Sequence, residues 1–307
     1  MLYDVIIVGG GPAGLTAAIY TERAKLKTLL LEKGLTGGQA VTTELIENYP
    51  GFPLGISGLE LLQRMDEQAR NFGAEIKTLC EVATVKLHKK QKIVIANEEE
   101  YVAKAIIITS GVQAAKLNIP GEKEFTGKGV SYCATCDGAF FKDKKVLVVG
   151  GGDAAIEEAL FLTRFATGVT IVHRRDALRA TKILQERALK NPRVHFIWNS
   201  HPVKISGDSR VREIILYNKL TEKETPLEVD GVFIYIGTTP NTDFVKGLIN
   251  LDNQGYILTD ENLQTSIPGI FAAGDVRHNK LKQVATAVGE GAFAAFSAQK
   301  YLEEHFD

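Results

Sequence analysis

The sequence is poor in cysteine. Its 307 residues hold three, Cys80, Cys133 and Cys136, an odd number that does not match the even framework of a secreted disulfide-rich domain. In a reducing compartment a permanent bridge is disfavoured as well. An excess of charge of either sign is lacking too. Lys plus Arg total 36 against 37 for Asp plus Glu, and a net charge of -1 argues against a general nucleic-acid binder. No apolar run reaches membrane-spanning length. "MLYDVIIVGGG" has no positively charged leader and an apolar stretch too short for a signal peptide, so a soluble cytoplasmic protein is expected, with no membrane partner. Hydrophobic residues make up 45% and charged residues 24%, so no segment reads as wholly disordered, and the length allows two domains.

What is present is glycine in a particular arrangement. "YDVIIVGGGPAGLTAAIYTERAKLKTLLLEKG" reads as a buried strand over Tyr3–Val8, a glycine turn, a helix opening near Pro12, and a strand over Thr28–Leu31 ending at Glu32. Gly9, Gly11 and Gly14 match G-x-G-x-x-G. In that pattern glycine permits the tight turn, close approach to a pyrophosphate and close helix–strand packing. Glu32, eighteen residues beyond Gly14, stands where a carboxylate accepts ribose hydroxyls. The fingerprint alone is weak, since an ordinary strand–helix turn also uses glycine. Strand, proline and acid in register point to dinucleotide binding.

The pattern returns in "KKVLVVGGGDAAIEEALFLTRFATGVTIVHRRDALRA", where Gly150, Gly152 and Ala155 repeat it as G-x-G-x-x-A. Eighteen residues beyond Ala155 stand His173, Arg174 and Arg175 instead of an acid. A carboxylate there would repel a ribose 2′-phosphate, whereas guanidinium groups bind it with charge-assisted hydrogen bonds. The competing reading of "HRRD" is a solvated basic turn. Two dinucleotide sites on one chain call for electron transfer between them, and a flavin in the first with NADPH in the second is the economical assignment. "IPGIFAAGDV" adds Asp275 after a further strand, as a flavin contact or as a cap for the helix starting near Lys282.

"GVSYCATCDGAF" holds the remaining chemistry. A closed zinc site needs about four ligands, and only Cys80 stands outside the pair. Cys133 and Cys136 lie among Gly, Ala, Thr and Asp, where a Cys-x-x-Cys pair closes a small loop reversibly and exchanges near neutral pH. Cys80, in "IKTLCEVATV", reads as a core strand cysteine.

Taken together these residues resemble the low-molecular-weight, bacterial-type thioredoxin reductases. "GGGPAG", "TGGQ", "ENYPGFP", "CATCDG", "GGGDAAIEEA", "HRRDALRA" and "TSIPGIFAAGDV" occur in that family's order over nearly the whole chain. The resemblance implies an α/β fold of two Rossmann-like dinucleotide-binding domains, the NADPH domain inserted into the FAD domain. Domain ranges of 1–114 and 241–307 for FAD and 115–240 for NADPH follow, flanked by Gly, Pro and Thr-rich connections. FAD contacts are implied at Gly9, Gly11, Pro12, Ala13, Gly14, Glu32, Gln39, Asn48, Asp275, Gln283 and Val284. NADPH contacts are implied at Gly150, Gly152, Asp153, Ala155, His173, Arg174, Arg175 and Arg179. Cys133 and Cys136 become the redox pair, Asp137 the acid, and the assembly a homodimer. "TSG" at 109–111 and Lys282 depart from the family's usual Ala-Thr-Gly and Arg.

The expected activity is NADPH-dependent reduction of the disulfide of thioredoxin or a thioredoxin-like protein. Rival readings are the flavin component of a peroxide-reducing pair, which usually carries an extra N-terminal domain, a ferredoxin-NADP reductase, and a redox sensor without turnover. The Cys pair precedes the strand Lys145–Val149 and is expected near its amino end, ~17 Å from the glycine turn. That spacing, with the resemblance, implies an inserted domain rotating near Ala114 and Pro240.

Overall fold

The protein is described by a computed structural model covering residues 2–306, so the outermost positions of the expected domain ranges, 1 and 307, lie outside the described residues. From the N-terminus come β1 (Leu2–Val8), α1 (Pro12–Arg23), β2 (Thr28–Leu31), α2 (Gly58–Asn71), β3 (Glu75–Lys77), β4 (Val82–His88), β5 (Gln91–Ala96), β6 (Glu99–Ile108) and β7 (Val112–Ala114). The middle of the chain forms β8 (Val130–Ser131), α3 (Ala134–Asp137), β9 (Lys145–Gly150), α4 (Asp153–Leu162), β10 (Gly168–Val172), α5 (Lys182–Lys190) and β11 (Val194–Ile197). It continues through β12 (Ser200–Gly207), β13 (Val211–Asn218), β14 (Lys223–Glu228), β15 (Gly231–Tyr235) and β16 (Thr238–Pro240), and the chain closes with β17 (Ile270–Ala272) and α6 (Val284–Phe306). Two compact units result, residues 1–113 with 239–307, and residues 114–238.

The first unit is built on a seven-stranded sheet ordered β3-β2-β1-β6-β5-β4, with β17 on the far end of β6. β1, β2, β3, the end of β6 and β17 run parallel. Val5 and Ile7 pack with α1, α2 and α6, while Ile6 and Val8 pack on the opposite face, so the strand is apolar on both sides. α1 lies tightly on α6: a Cβ at Gly291 would fall 2.2 Å from the Ala13 carbonyl oxygen. Small residues at that crossing set the distance at which the first glycine turn meets the last helix.

The second unit carries a five-stranded sheet ordered β11-β10-β9-β15-β8, parallel throughout. Val146, Val148 and Ile171 face α4 and α5, and Leu147, Val149 and Val172 face the antiparallel layer β12-β13-β14. Both faces are therefore covered, as a parallel sheet requires. Among the described residues no helix is long and apolar enough to cross a membrane.

Two expectations are corrected here. Cys80 is buried, but it lies between β3 and β4 rather than in a strand, with its amide on the Glu32 carbonyl at 2.8 Å. The Cys pair is not at the amino end of β9. β8 is parallel to β15, Ser131 is level with Phe233, and Phe233 is level with Val148, so the chain enters α3 beside the carboxyl-terminal half of the sheet. Residues 137–144 then double back, bringing Phe141 against Phe233 at 5.1 Å between ring centres.

Candidate active site

The first glycine turn is fixed by sterics. Gly9 has φ +109°, and a Cβ there would fall 2.4 Å from the Thr109 carbonyl oxygen, so the turn tolerates only glycine. The Thr109 hydroxyl donates to the Gly9 carbonyl at 2.7 Å, a support that the departure "TSG" supplies. Gly11 caps α1 with no side-chain acceptor, Pro12 stands in the first turn, and Ala13 and Gly14 are buried behind it. The α1 amides are left open to an anion, which fits a pyrophosphate. Glu32 is held at the turn by the amides of Gly10 at 2.6 Å and Gly34 at 2.8 Å. Its position beyond β2 fits the ribose role.

Distant segments of the same unit converge on this turn. The Gly37 amide donates to the Gly10 carbonyl at 2.7 Å, and a Cβ at Gly38 would come within 3.3 Å of Gly11 Cα. Gln39 Nε2 donates to the Val112 carbonyl at 3.3 Å. Asn48 Nδ2 donates to Gln283 Oε1 at 2.8 Å, beside Val284 at the start of α6. Burial raises the Asp275 carboxyl, with Glu290 adding to the rise and Lys282 opposing it. Lys282 Nζ donates to the Asp275 carbonyl at 2.7 Å and sits 4.1 Å from the Tyr256 ring centre. Glu290 binds the Gly274 amide at 2.7 Å and Arg277 at 3.0 Å, bracing the Asp275 turn. Glu290 lies in "LKQVATAVGEG" at 281–291, a stretch that resembles the family, but the sequence alone gives it no role.

The second turn repeats the construction. Gly150 has φ +153°, and a Cβ there would lie 2.4 Å from the Tyr235 carbonyl oxygen and 2.7 Å from Ala155 Cβ. Gly152 caps α4 without a side-chain acceptor, and open space surrounds it where a Cβ would project, which fits a phosphate. Asp153 Oδ1 instead accepts the Thr181 amide at 2.6 Å, and the Gly151 carbonyl accepts the Arg179 amide at 2.7 Å. These bonds fold the basic segment back over the glycine turn. His173 is 4% exposed and packs its ring against Gly151. Burial first, then the charges of Arg179, Arg175, Arg174 and Lys219, push its pKa down. Its buried Nε2 has no hydrogen-bond partner. Arg174, Arg175 and Arg179 are exposed, and among the described residues their guanidiniums meet no carboxylate within salt-bridge distance. An unpaired cationic cluster at the end of β10 fits a 2′-phosphate.

In the same unit Cys133 and Cys136 form a disulfide, with sulfurs 2.10 Å and Cα atoms 5.3 Å apart. Cys133 is half-buried and Cys136 exposed. Ser131 Oγ accepts the Cys133 amide at 3.0 Å, and the Cys136 amide points at Cys133 Sγ at 3.2 Å. Asp137 lines a neighbouring groove of about 240 Å³ with Lys128, Phe140, Lys144 and Arg210. The sequence also holds one pair at H-x₅-H spacing, His195 and His201, but among the described residues no three His, Cys, Asp or Glu side chains gather as a metal set.

Two dinucleotide-type turns and a Cys-x-x-Cys bridge on one chain define a nucleotide-dependent disulfide oxidoreductase. The sequence pattern of the pyridine nucleotide-disulphide oxidoreductases matches residues 3–291. Thioredoxin reductase of Listeria monocytogenes is 52% identical over 304 residues, 99% of this chain and 95% of that protein. The Bacillus subtilis thioredoxin reductase is 50% identical over 304 residues, 99% of this chain and 96% of that protein. The crystal structure of Lactococcus lactis thioredoxin reductase, 48% identical, superposes with a TM-score of 0.96 over 98% of this chain and 99% of that one. The chain belongs to the pyridine nucleotide-disulphide oxidoreductase family and, within it, to the thioredoxin reductases, which use FAD and NADPH.

Proposed function

We propose that the chain is an NADPH-dependent reductase of a protein disulfide, that of thioredoxin or a thioredoxin-like protein. The observation that carries this reading is the Cys133–Cys136 bridge, held in the same unit as the unpaired Arg174, Arg175 and Arg179 cluster. Residues 1–114 and 241–307 form the FAD domain in this reading, and residues 115–240 the NADPH domain. When bound, FAD and NADPH supply the two-electron chemistry that opens the bridge.

The chain's own residues divide the work. Gly9, Gly11, Pro12, Ala13, Gly14 and Glu32 receive the pyrophosphate and ribose of FAD, and Gln39, Asn48, Asp275, Gln283 and Val284 line its remaining length. Gly150, Gly152, Asp153 and Ala155 shape the NADPH turn, and His173, Arg174, Arg175 and Arg179 select its 2′-phosphate. Once the bridge is a dithiol, one thiolate attacks a sulfur of the partner's disulfide and a mixed disulfide forms. The second thiol attacks in turn, so Cys133–Cys136 closes and the partner leaves as a dithiol, two electrons and two protons richer. Asp137, next to Cys136, holds the proton exchanged with the pair. Exposed Phe140 in the adjoining groove gives a protein partner an apolar contact. The working form is a cytoplasmic homodimer.

The deciding experiment follows NADPH oxidation with a panel of thioredoxin-like proteins. Sustained turnover with at least one supports the reading. NADPH consumption that stops after one equivalent with every partner would leave a redox sensor instead.

A further inference from the structure

We propose that Tyr235 is a positioning residue that holds the Cys133–Cys136 bridge in its closed form, through a hydrogen bond made to the amide of Ala134. The inference rests on the reading of that bridge as redox-active. Tyr235 ends β15, where it pairs with Gly150, and its hydroxyl accepts the Ala134 N–H at 2.8 Å. Ala134 follows Cys133, is 0% exposed, and opens α3. An amide in the first turn of a helix has no partner within the helix. Here its partner comes from a strand 101 residues further along the chain.

The neighbouring amides are satisfied locally. Cys133 N donates to Ser131 Oγ, Cys136 N points at Cys133 Sγ, and Asp137 N donates to the Cys133 carbonyl. The Ala134 amide depends on Tyr235. Burial, with Glu158 and Asp137 nearby, pushes the Tyr235 phenol up, so it remains a neutral hydroxyl near pH 7. In the closed ring the two Cys Cα atoms are tied 5.3 Å apart, and Ala134 is fixed over the phenol. Opening the ring releases that constraint, so the contact favours the oxidised state. Removing the hydroxyl leaves a buried donor unpaired in the closed form, whereas the loosened loop of the dithiol can turn it toward water.

The test equilibrates the oxidised holoenzyme without air in glutathione buffers, where two glutathione thiols reduce one protein disulfide and leave as glutathione disulfide. Free protein thiols are trapped by alkylation and counted by mass. Tyr235→Phe should shift the dithiol–disulfide equilibrium about tenfold toward the dithiol, ~30 mV for two electrons. Its affinity for 2′,5′-ADP should equal that of wild type, because the strand pairing with Gly150 is kept. An unchanged equilibrium, or a shift accompanied by lost nucleotide affinity, would overturn the assignment. A second measurement needs no variant: amide exchange at Ala134 in wild type should be slow when oxidised and at least tenfold faster when reduced. Equal protection in both states would also overturn it. A wild-type bridge that no glutathione buffer opens would instead refute the redox-active reading itself.

Discussion

Asn48 and Gln283 stand 235 residues apart in sequence and share a hydrogen bond of 2.8 Å. One follows the first glycine unit and the other precedes the last helix, so the bond joins the two ends of the chain within the first unit. In the same unit Glu32 faces the first glycine turn, held by two backbone amides at 2.6 and 2.8 Å.

That geometry predicts the effect of Glu32→Ala. The substitution strips the Gly10 and Gly34 amides of their acceptor and would remove the proposed ribose contact. A hydrogen bond to a charged group contributes about 1.5–3 kcal/mol, so flavin affinity should fall at least tenfold. The ratio of flavin to protein absorbance after gel filtration reads this directly. Full retention would place the ribose contact elsewhere.

Arg174 and Arg175 are exposed and unpaired by any carboxylate among the described residues, so replacing them should cost little stability. The double Ala variant should lose most of its preference for NADPH over NADH, with each contact accounting for roughly a tenfold loss. The measured quantity is kcat/KM for the two nucleotides. Equal use of both by wild type would contradict the charge argument.

Much of this was legible in the sequence, and the reason is local. The strands Tyr3–Val8 and Thr28–Leu31 and the helix opening at Pro12 are written in short-range periodicity and glycine spacing, and they stand within a residue of the observed elements. The convergence of Asn48 with Gln283 came only through resemblance, because nothing local links residues so distant. Tyr235 carried no signal, as a lone tyrosine closing an apolar strand has no pattern. The level of the Cys pair is not legible in the sequence, because β8, which sets it, is two residues long. With the pair beside the carboxyl-terminal half of its sheet, the ~17 Å separation that motivated domain rotation no longer holds.

Lys92 offers a pH prediction. It is 3% exposed on β5, where its ammonium group donates to the Lys104 carbonyl at 2.7 Å and the Tyr301 hydroxyl at 3.1 Å. Burial lowers its pKa from 10.5 to about 8. Below pH 8 it is charged in both folded and unfolded chains, and the cost of burying the charge is fully present. Between pH 8 and 10.5 the unfolded chain holds more protons, so stability rises with pH by about 3 kcal/mol in all. Denaturant unfolding of wild type and Lys92→Met across pH 7 to 10.5 should show a difference that changes only in that window. A constant difference would mean that Lys92 titrates normally.

Phe140 is 73% exposed in the groove it shares with Asp137, Lys128 and Arg210. Such a ring gains about 1.5–3 kcal/mol when a partner covers it. Phe140→Ser should therefore raise KM for a protein disulfide roughly ten- to hundredfold, and it should leave the rate with a small aromatic disulfide unchanged. Equal loss with both substrates would indicate a disturbed bridge instead of a lost docking contact.

Replacing Cys133 or Cys136 by Ser separates the two halves of the reaction. Neither cysteine belongs to the glycine turns, and the amides that shape those turns are bonded elsewhere, so both nucleotide cradles should survive the change. Reduction of bound flavin by NADPH should proceed at the wild-type rate in a stopped-flow absorbance measurement. Thiol exchange needs both sulfurs: the first forms the mixed disulfide and the second resolves it. A single serine variant should at most form one covalent adduct with the partner, visible by mass, and then stop. Reduction of the protein disulfide should fall at least a thousandfold, the loss expected when a positioned nucleophile is removed. If both single variants sustained turnover on the protein substrate, the bridge would have no part in the mechanism.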